Sequence, residues 1–191
     1  WEEKPISKIG EVVTGSTPST ADKSHYGGNA MFVSPADISD RCFVSETVKT
    51  LTKKGLSKAR IIPARSILFV CIGSTIGKIA QNMYDCATNQ QINAIIPFSQ
   101  YVKDFVYYGL ELKSEKIAEF AGKQAVPIIN KTLFSTIPLS IPPDKDEQQK
   151  IADCLSTLDE LIVSQEEKIN ALKAQKKGLM QLLFPTLEEV V

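Results

Sequence analysis

The sequence predicts an α+β protein, made of a globular, mostly β domain with a few helices and one long C-terminal coiled-coil helix. Short β-branched and aromatic runs bounded by turn residues fill the first hundred residues. Apolar residues then change to helical spacing after Tyr101, and from Ile151 to Leu183 they follow a strict 4-3 alternation. We therefore predict a globular domain over 1–143, a helix over 144–184 and a C-terminal tail over 185–191.

Each element of the globular part is predicted from its local pattern. The strands are expected at 9–13, 30–33, 66–72, 78–83 and 91–97. One or two helices are expected over 101–120, with Phe105, Tyr108 and Leu112 on one face and Ile117 and Phe120 continuing it. An extended piece at 126–129, a helical turn at 131–135 and a strand at 137–141 precede the proline pair at 142–143.

The long helix has a start signal and a stop signal. Asp144 can cap it, Glu147 stands three residues later as a capping box requires, and Pro185 ends it. About 40 residues at ~1.5 Å each give a rod of roughly 60 Å. Its predicted pairing seam consists of Ile151, Leu155, Leu158, Ile162, Gln165, Ile169, Leu172, Lys176, Leu179 and Leu183.

A narrow seam of this kind predicts a second helix alongside, because one helix cannot bury the stripe against itself. A parallel partner of the same sequence would set Lys176 against Lys176, which is repulsive. An antiparallel partner places Leu158 opposite Lys176 and Gln165 opposite Ile169, so the antiparallel arrangement is favoured. The alternative, a stripe packed on its own domain, is disfavoured by the length of the helix.

Composition and charge narrow the function classes. In 191 residues, 43% are hydrophobic and 23% charged, as in ordinary globular protein. The sequence shows neither a membrane-spanning run nor a secretory signal, so a cytoplasmic location is expected. The net charge of zero hides 16 basic against 12 acidic residues in 1–143, and 6 against 10 in 144–191.

A basic patch and a set of amides are candidates for nucleic-acid contact. Residues 41–78 hold eight Lys and Arg against a lone Glu46, enough to track a phosphate backbone, although a solvated basic surface is the alternative. Asn and Gln can form two hydrogen bonds with adenine; the inventory here is Asn82, Asn89, Gln90, Gln91, Gln124 and Asn130. The predicted DNA-binding residues are Arg41, Lys49, Lys53, Lys54, Lys58, Arg60, Lys78, Asn89, Gln90 and Gln124.

Catalytic patterns are missing from the sequence. The run from Gly73 to Lys78 has three residues between its glycines, whereas a phosphate loop needs four, so a strand-turn-strand is expected. The single histidine, His25, lies in a loop without a nucleophile elbow. Four cysteines without CxxC spacing indicate reduced, mostly buried thiols rather than a metal site. We expect no catalytic residue, no metal and no cofactor.

Several segments, in order, resemble the specificity subunit of type I restriction-modification systems. The resemblance covers nearly the whole chain and rests on the following pieces: Thr14–Pro18, Tyr26–Gly28, Gly73–Lys78, Thr88–Gln90, Gly122 ahead of 126–130, and the junction 137–143 leading into Glu147–Ala152 and Leu155.

The resemblance implies a target recognition domain over 1–143 and a conserved-region helix. In that family two such units read the halves of a bipartite site in double-stranded DNA, and their helices pair antiparallel. This chain has one unit, so a second copy or a missing half is the expected partner. Methyltransferase and restriction/translocase subunits would be further partners, carrying S-adenosylmethionine, ATP and Mg. Two alternatives stay open: the recognition part of a fused modification enzyme, and a non-catalytic coiled-coil interaction scaffold.

Overall fold

The computed structural model describes residues 1–122 and 127–184. Over these two stretches the chain forms ten strands and five α-helices. The strands are β1 (Glu2–Pro5), β2 (Gly10–Thr14), β3 (Tyr26–Val33), β4 (Phe43–Val44), β5 (Lys49–Leu51), β6 (Ile67–Val70), β7 (Ile79–Asn82), β8 (Cys86–Thr88), β9 (Ile92–Pro97) and β10 (Pro138–Ile141). The helices are α1 (Ile6–Ile9), α2 (Lys53–Leu56), α3 (Lys103–Glu119), α4 (Lys131–Thr136) and α5 (Lys145–Leu183).

Within the described residues the strands form three sheets. The largest has the order β2-β9-β6-β7-β4, with antiparallel neighbours except for the parallel β4–β7 pair. A three-stranded sheet has the order β5-β3-β8, in which β3 is antiparallel to β5 and parallel to β8. The third sheet has two strands, β1 and β10, which are the first and last along the chain and pair antiparallel. The α+β class and the long C-terminal helix predicted from the sequence are confirmed.

The central sheet is buried on both faces. Its strands β6 and β7 have no exposed side chain. β6 is a continuous apolar run, whereas β7 buries the polar Gln81 and Asn82, whose side-chain amides donate hydrogen bonds. On one face Phe69 and Ile95 pack with Phe105 of α3 and Phe134 of α4. On the other face Leu68, Val70 and Ala94 pack with residues of the three-stranded sheet, among them Met31 and Cys86. The globular part therefore has two core layers, one on each side of its main sheet.

The buried face of α3 differs from the predicted one. Phe105 and Ile117 are buried as expected, but Leu112 is 86% exposed and Phe120 is 59% exposed. The core is instead filled by Val106, Tyr107 and Leu110. Sequence spacing defines the relative positions of apolar residues on a helix. The rotation of the helix about its axis decides which stripe of residues packs on the sheet, and in α3 this rotation leaves Leu112 in solvent.

The predicted strands all occur, with bounds that differ by up to four residues. Four further strands, β1, β4, β5 and β8, were not predicted, because each has two to four residues and only marginal local preference. The strand β1 (Glu2–Pro5) contains two acidic residues and a proline, and it is held by its pairing with β10. Non-local pairing thus created the elements that the sequence pattern did not show.

The first turns of α5 belong to the globular part. Asp144 Oδ1 accepts the backbone N–H of Asp146 at 2.9 Å, as a cap should, whereas Glu147 Oε1 accepts the indole N–H of Trp1 at 2.8 Å. The Gln148 side chain is buried, accepting the Val102 N–H at 3.0 Å and donating to the Pro142 carbonyl at 2.9 Å. The chain divides into two compact units, one over Trp1–Ala152 and one from Asp153 onward.

The four cysteines are free thiols. Burial raises the pKa of Cys71 and of Cys86 to about 12, so both remain protonated at neutral pH. Cys42 is half-buried, whereas Cys154 on α5 is exposed. Among the described residues, no helix is both long enough and apolar enough to span a membrane.

Candidate nucleic-acid interface

The motif at Thr14–Pro18 is joined by backbone hydrogen bonds to the motif at Thr88–Gln90. The Gly15 N–H donates to the Ile92 carbonyl at 3.0 Å, and the Ser16 N–H donates to the Thr88 carbonyl at 2.9 Å. A Cβ at Gly15 would overlap the Asn89 carbonyl and the Thr88 hydroxyl, so only glycine permits this approach. Two segments more than 70 residues apart in sequence therefore form one surface.

Side chains reinforce the same contact. The Thr17 hydroxyl donates to Gln90 Oε1 at 2.6 Å, and the Thr14 hydroxyl donates to Asn93 Oδ1 at 2.7 Å. The Asn89 amide bonds to Gln91, donating to its Oε1 at 3.0 Å and accepting its backbone N–H at 3.1 Å. Gln90 is exposed and Asn89 is half-buried. Of the three amides among the predicted DNA-binding residues, Asn89 thus also holds the loop and Gln90 lies at its surface; Gln124 is the third.

The glycine turn between β6 and β7 reaches the same region. The Cys71 N–H donates to the Gln91 carbonyl at 2.8 Å, and the Gly73 N–H donates to the Pro127 carbonyl at 3.0 Å. Gly73 and Gly77 have φ values of 99° and 95°, which side-chain-bearing residues rarely adopt. The predicted strand-turn-strand is confirmed. We call the surface formed by residues 14–18, 71–78, 88–91 and 127–129 the motif junction.

A second element, α2 and its flanks at 52–60, packs on the loop that joins β2 to β3. Thr52 caps α2 by accepting the Gly55 N–H at 3.1 Å, and its hydroxyl donates to the Ser24 carbonyl at 2.7 Å. Lys54 Nζ lies 2.8 Å from Asp22 Oδ2 and 2.7 Å from Ser24 Oγ. These contacts fix the 52–60 segment to the end of the loop.

Asp22 is the charged centre of this contact. Hydrogen bonds from Lys54 and then from Ser24 hold the pKa of its carboxyl well below its usual range. The buried ring of His25 lies beside it, with Nδ1 3.1 Å from the Ser19 carbonyl and Nε2 3.4 Å from Asp22 Oδ2. His25 therefore helps to fold the loop.

The predicted basic residues separate into two groups. Lys54 is bound to Asp22, Arg60 Nη1 donates to the Thr14 carbonyl at 2.6 Å, and Lys78 Nζ donates to the Ile38 carbonyl at 3.1 Å. Of the predicted basic residues, all of which the structure describes, four have exposed side chains that make no hydrogen bond or ion pair with the described residues. They are Arg41, Lys49, Lys53 and Lys58. Arg65, a further basic residue of the patch, pairs with Asp104: its Nη2 donates to both carboxylate oxygens, each at 2.6 Å.

Several amides of the inventory have structural roles. Asn82 is fully buried and its side chain bonds to Ser66, Ile62, Pro63 and Tyr84, which leaves it no surface to offer a base. Asn130 caps α4, accepting the Leu133 N–H at 2.8 Å. Gln124 lies outside the described residues. Asn and Gln often satisfy backbone groups locally, and sequence alone does not separate such residues from surface ones.

The residues that shape this surface include several that the sequence reasoning did not select. Asp22, Ser24 and Thr52 hold the 52–60 segment, and Thr17 holds Gln90. The signal available for Thr52 was only that threonine is a preferred helix N-cap residue. No local signal links Asp22 to Lys54, because the two are 32 residues apart.

The predicted pairing seam is exposed along the second unit. Its residues Leu158, Ile162, Ile169, Leu172 and Leu179 are between 49% and 56% exposed, and Leu183 is 75% exposed. Aliphatic side chains repeated over so many turns without cover are typical of a helix that pairs with another. Ile151 and Leu155, at the start of the seam, are half-buried.

Comparison with known proteins first defines the class. Two solved structures share the fold: the HsdS subunit from Thermoanaerobacter tengcongensis (TM-score 0.67, 16% identity, 88% of this chain, 39% of that chain) and the type I restriction-modification S subunit from M. genitalium (TM-score 0.68, 16% identity, 96% and 46%). The chain therefore has the fold of these two solved subunits.

Sequence comparison then identifies the family. The profile described as "Type I restriction modification DNA specificity domain" matches residues 1–174. Relatives include the MjaIX specificity subunit of Methanocaldococcus jannaschii (31% identity, 91% of this chain, 41% of that protein) and the HindI specificity subunit of Haemophilus influenzae (33%, 76% and 32%). The chain belongs to the type I restriction-modification DNA specificity domain family. It spans about two fifths or less of these two relatives, and the resemblance stated from its motifs is confirmed.

Proposed function

We propose that this chain reads one half of a bipartite DNA site for a type I restriction-modification complex and performs no chemistry itself. The observation that carries the proposal is the exposed set of unpaired cations on and near the 52–60 segment, beside the motif junction of a specificity-domain fold. Such a surface can bind DNA before any base is read, because phosphate contacts position a protein and base contacts specify the site.

Lys53 and Lys58 are the first candidates for phosphate contacts. Their ammonium groups are exposed and unpaired in the described structure, while the backbone that carries them is fixed by Thr52 and Lys54. A fixed backbone with free cations loses little order on binding. Lys49 and Arg41 are further exposed cations of the predicted patch, and Gln90 supplies an exposed amide that can face a base edge.

The helix would pair antiparallel with a second copy or with the other half of a complete subunit. Residues 145–167 carry seven acidic and two basic side chains, whereas residues 168–183 carry four lysines and no acid. An antiparallel pair sets the acidic stretch of each helix against the lysines of the other; a parallel pair sets like charges together. With 39 residues, α5 would separate two half-sites by a fixed distance.

The remaining partners would be methyltransferase and restriction/translocase subunits in the cytoplasm. They would supply S-adenosylmethionine, ATP and Mg, and the methyltransferase would flip the target adenine from the duplex. The relatives are named as specificity subunits of type I restriction enzymes, which supports this assignment. The chain covers a minor part of their length, and the second recognition unit would come from a second copy or from the other half of a complete subunit.

The test is DNA selection by the chain assembled with its methyltransferase. We expect one enriched half-site motif, and affinity that falls steeply with salt, since each phosphate contact adds about 0.9 to the slope of log K against log salt. Lys53→Met with Lys58→Met should lower that slope by about two while the motif stays the same. The matched control, Lys116→Met on the exposed face of α3, should leave both unchanged. Absence of an enriched motif would exclude the recognition role.

A further inference from the structure

We propose that Arg60 acts in DNA recognition as a positioning residue, holding the β2–β3 loop against the 52–60 segment, and not as a phosphate contact. The inference rests on the proposed function for its DNA part. Its structural part, the fixing of the loop by Arg60, can be tested on the free protein. It changes the role of a residue that the charge pattern alone assigned to the phosphate backbone.

The geometry around Arg60 supports this role. The Arg60 guanidinium donates from Nη1 to the Thr14 carbonyl at 2.6 Å, and the Arg60 backbone N–H donates to Ser16 Oγ at 3.1 Å. A short bond from a charged donor to a carbonyl is stronger than a neutral one. Thr14 and Ser16 are the residues at which the chain leaves β2 and enters the motif junction.

The 52–60 segment is therefore attached at both ends to one loop. Arg60 binds the start of that loop at Thr14, and Thr52 binds its end, donating from its hydroxyl to Ser24 and from its backbone N–H to the His25 carbonyl at 2.9 Å. The unpaired Lys53 and Lys58 lie between these two attachments. Their positions relative to Gln90 are set by the attachments, because Thr17 of the same loop binds the Gln90 amide.

This arrangement predicts a distinctive loss when Arg60 is changed. A phosphate contact contributes to binding on every sequence, so its removal weakens all duplexes about equally and lowers the salt slope by about one. A positioning residue contributes to affinity only on the cognate duplex, where the side chains that it places meet the bases they recognise. Its removal lowers the ratio of cognate to non-cognate affinity and leaves the salt slope unchanged.

The experiment compares Arg60→Met, Arg60→Lys and Lys58→Met in the full chain assembled with the methyltransferase. Arg60→Met should lower the cognate to non-cognate ratio about tenfold, the size expected for a lost charge-assisted hydrogen bond, with the salt slope of the wild type. Arg60→Lys should recover most of the ratio, because an ammonium can donate to the Thr14 carbonyl. Lys58→Met should lower the slope by about one and keep the ratio. A lower slope with an unchanged ratio in Arg60→Met would overturn the proposal.

A second readout needs no DNA. Hydrogen exchange of the Gly15 and Ser16 amides, which donate to Ile92 and Thr88, should be about tenfold faster in Arg60→Met than in Lys58→Met. Equal rates of amide exchange in the two variants would overturn the positioning role of Arg60, whatever the result of the DNA-binding measurements. If the wild type selects no sequence while Arg60→Met exchanges faster, recognition fails as the function, and Arg60 is shown only to fix the loop.

Discussion

The globular unit and the long helix use their apolar residues in opposite ways. In the globular unit, aliphatic and aromatic side chains such as Leu68, Phe69 and Leu110 are fully buried on either side of one sheet. On α5, Leu158, Ile162 and Leu172 retain about half of their exposure. The first unit buries its apolar residues within one chain, whereas the second has an exposed apolar stripe of the kind that helices bury by pairing. Helix pairing is therefore proposed for the second unit, and DNA recognition is proposed for the loops of the first.

The largest expected effect of a substitution is the loss of helix pairing when the seam of α5 is changed. Leu158→Asp with Leu172→Asp should abolish helix pairing, because two carboxylates would be desolvated without partners. Sedimentation or light scattering should show the loss of association, while the melting temperature of the globular unit stays within about 2 °C. The control is Glu160→Ala with Glu167→Ala, which changes the charge of the same helix outside the seam. Unchanged assembly in the aspartate variant would mean that the stripe is not an interface.

The next largest effect is a difference in stability between substitutions at two leucines of α3. Leu110 of α3 is completely buried and Leu112 is 86% exposed. Leu110→Ala should lower the free energy of unfolding of the globular unit by about 2 to 5 kcal/mol, and Leu112→Ala should change it by less than about 0.5 kcal/mol. Urea denaturation of both variants measures the difference. Similar losses would show that α3 is rotated toward the face that the sequence pattern predicted.

A smaller loss of stability is expected at Gln148, in the first turns of α5. Gln148→Ala removes an acceptor for the Val102 N–H and a donor for the Pro142 carbonyl, both buried contacts. We expect a loss of about 1 to 3 kcal/mol, the cost of leaving such groups unpaired. Lys150→Ala, at an exposed position two residues further along the same helix, provides the comparison. If denaturation shows no loss in Gln148→Ala, the first turns of α5 do not belong to the globular core.

Local patterns gave much of the fold. The six predicted strands, the helix over 101–120, the helical turn at 131–135 and the start of α5 after Asp144 all occur near their expected positions. Alternation, helical spacing and capping act over a few residues, so one sequence displays them directly. The unpredicted strands, such as β5 and β8, are too short to show a pattern, and their pairing with β3 holds them.

The candidate site was only partly visible in the sequence. Charge density marked the 41–78 patch, and order along the chain marked the motifs. The sequence did not show that Lys54 binds Asp22, that Arg60 binds Thr14, or that Asn82 is buried. Each of these depends on segments that meet only after folding. The DNA-binding assignments of Arg41, Lys49, Lys53 and Lys58 stay predictions, and so does the pairing of the seam.

The sequence by itself determined the α+β class, the family and the 4-3 stripe of α5, because propensity, motif order and heptad spacing are local or linear properties. Only the tertiary structure decided which cations are unpaired, which face of α3 is buried and which motifs meet at the junction around Gly15. Those outcomes follow from long-range contacts, where packing and hydrogen-bond satisfaction select one arrangement among many that the same local pattern allows.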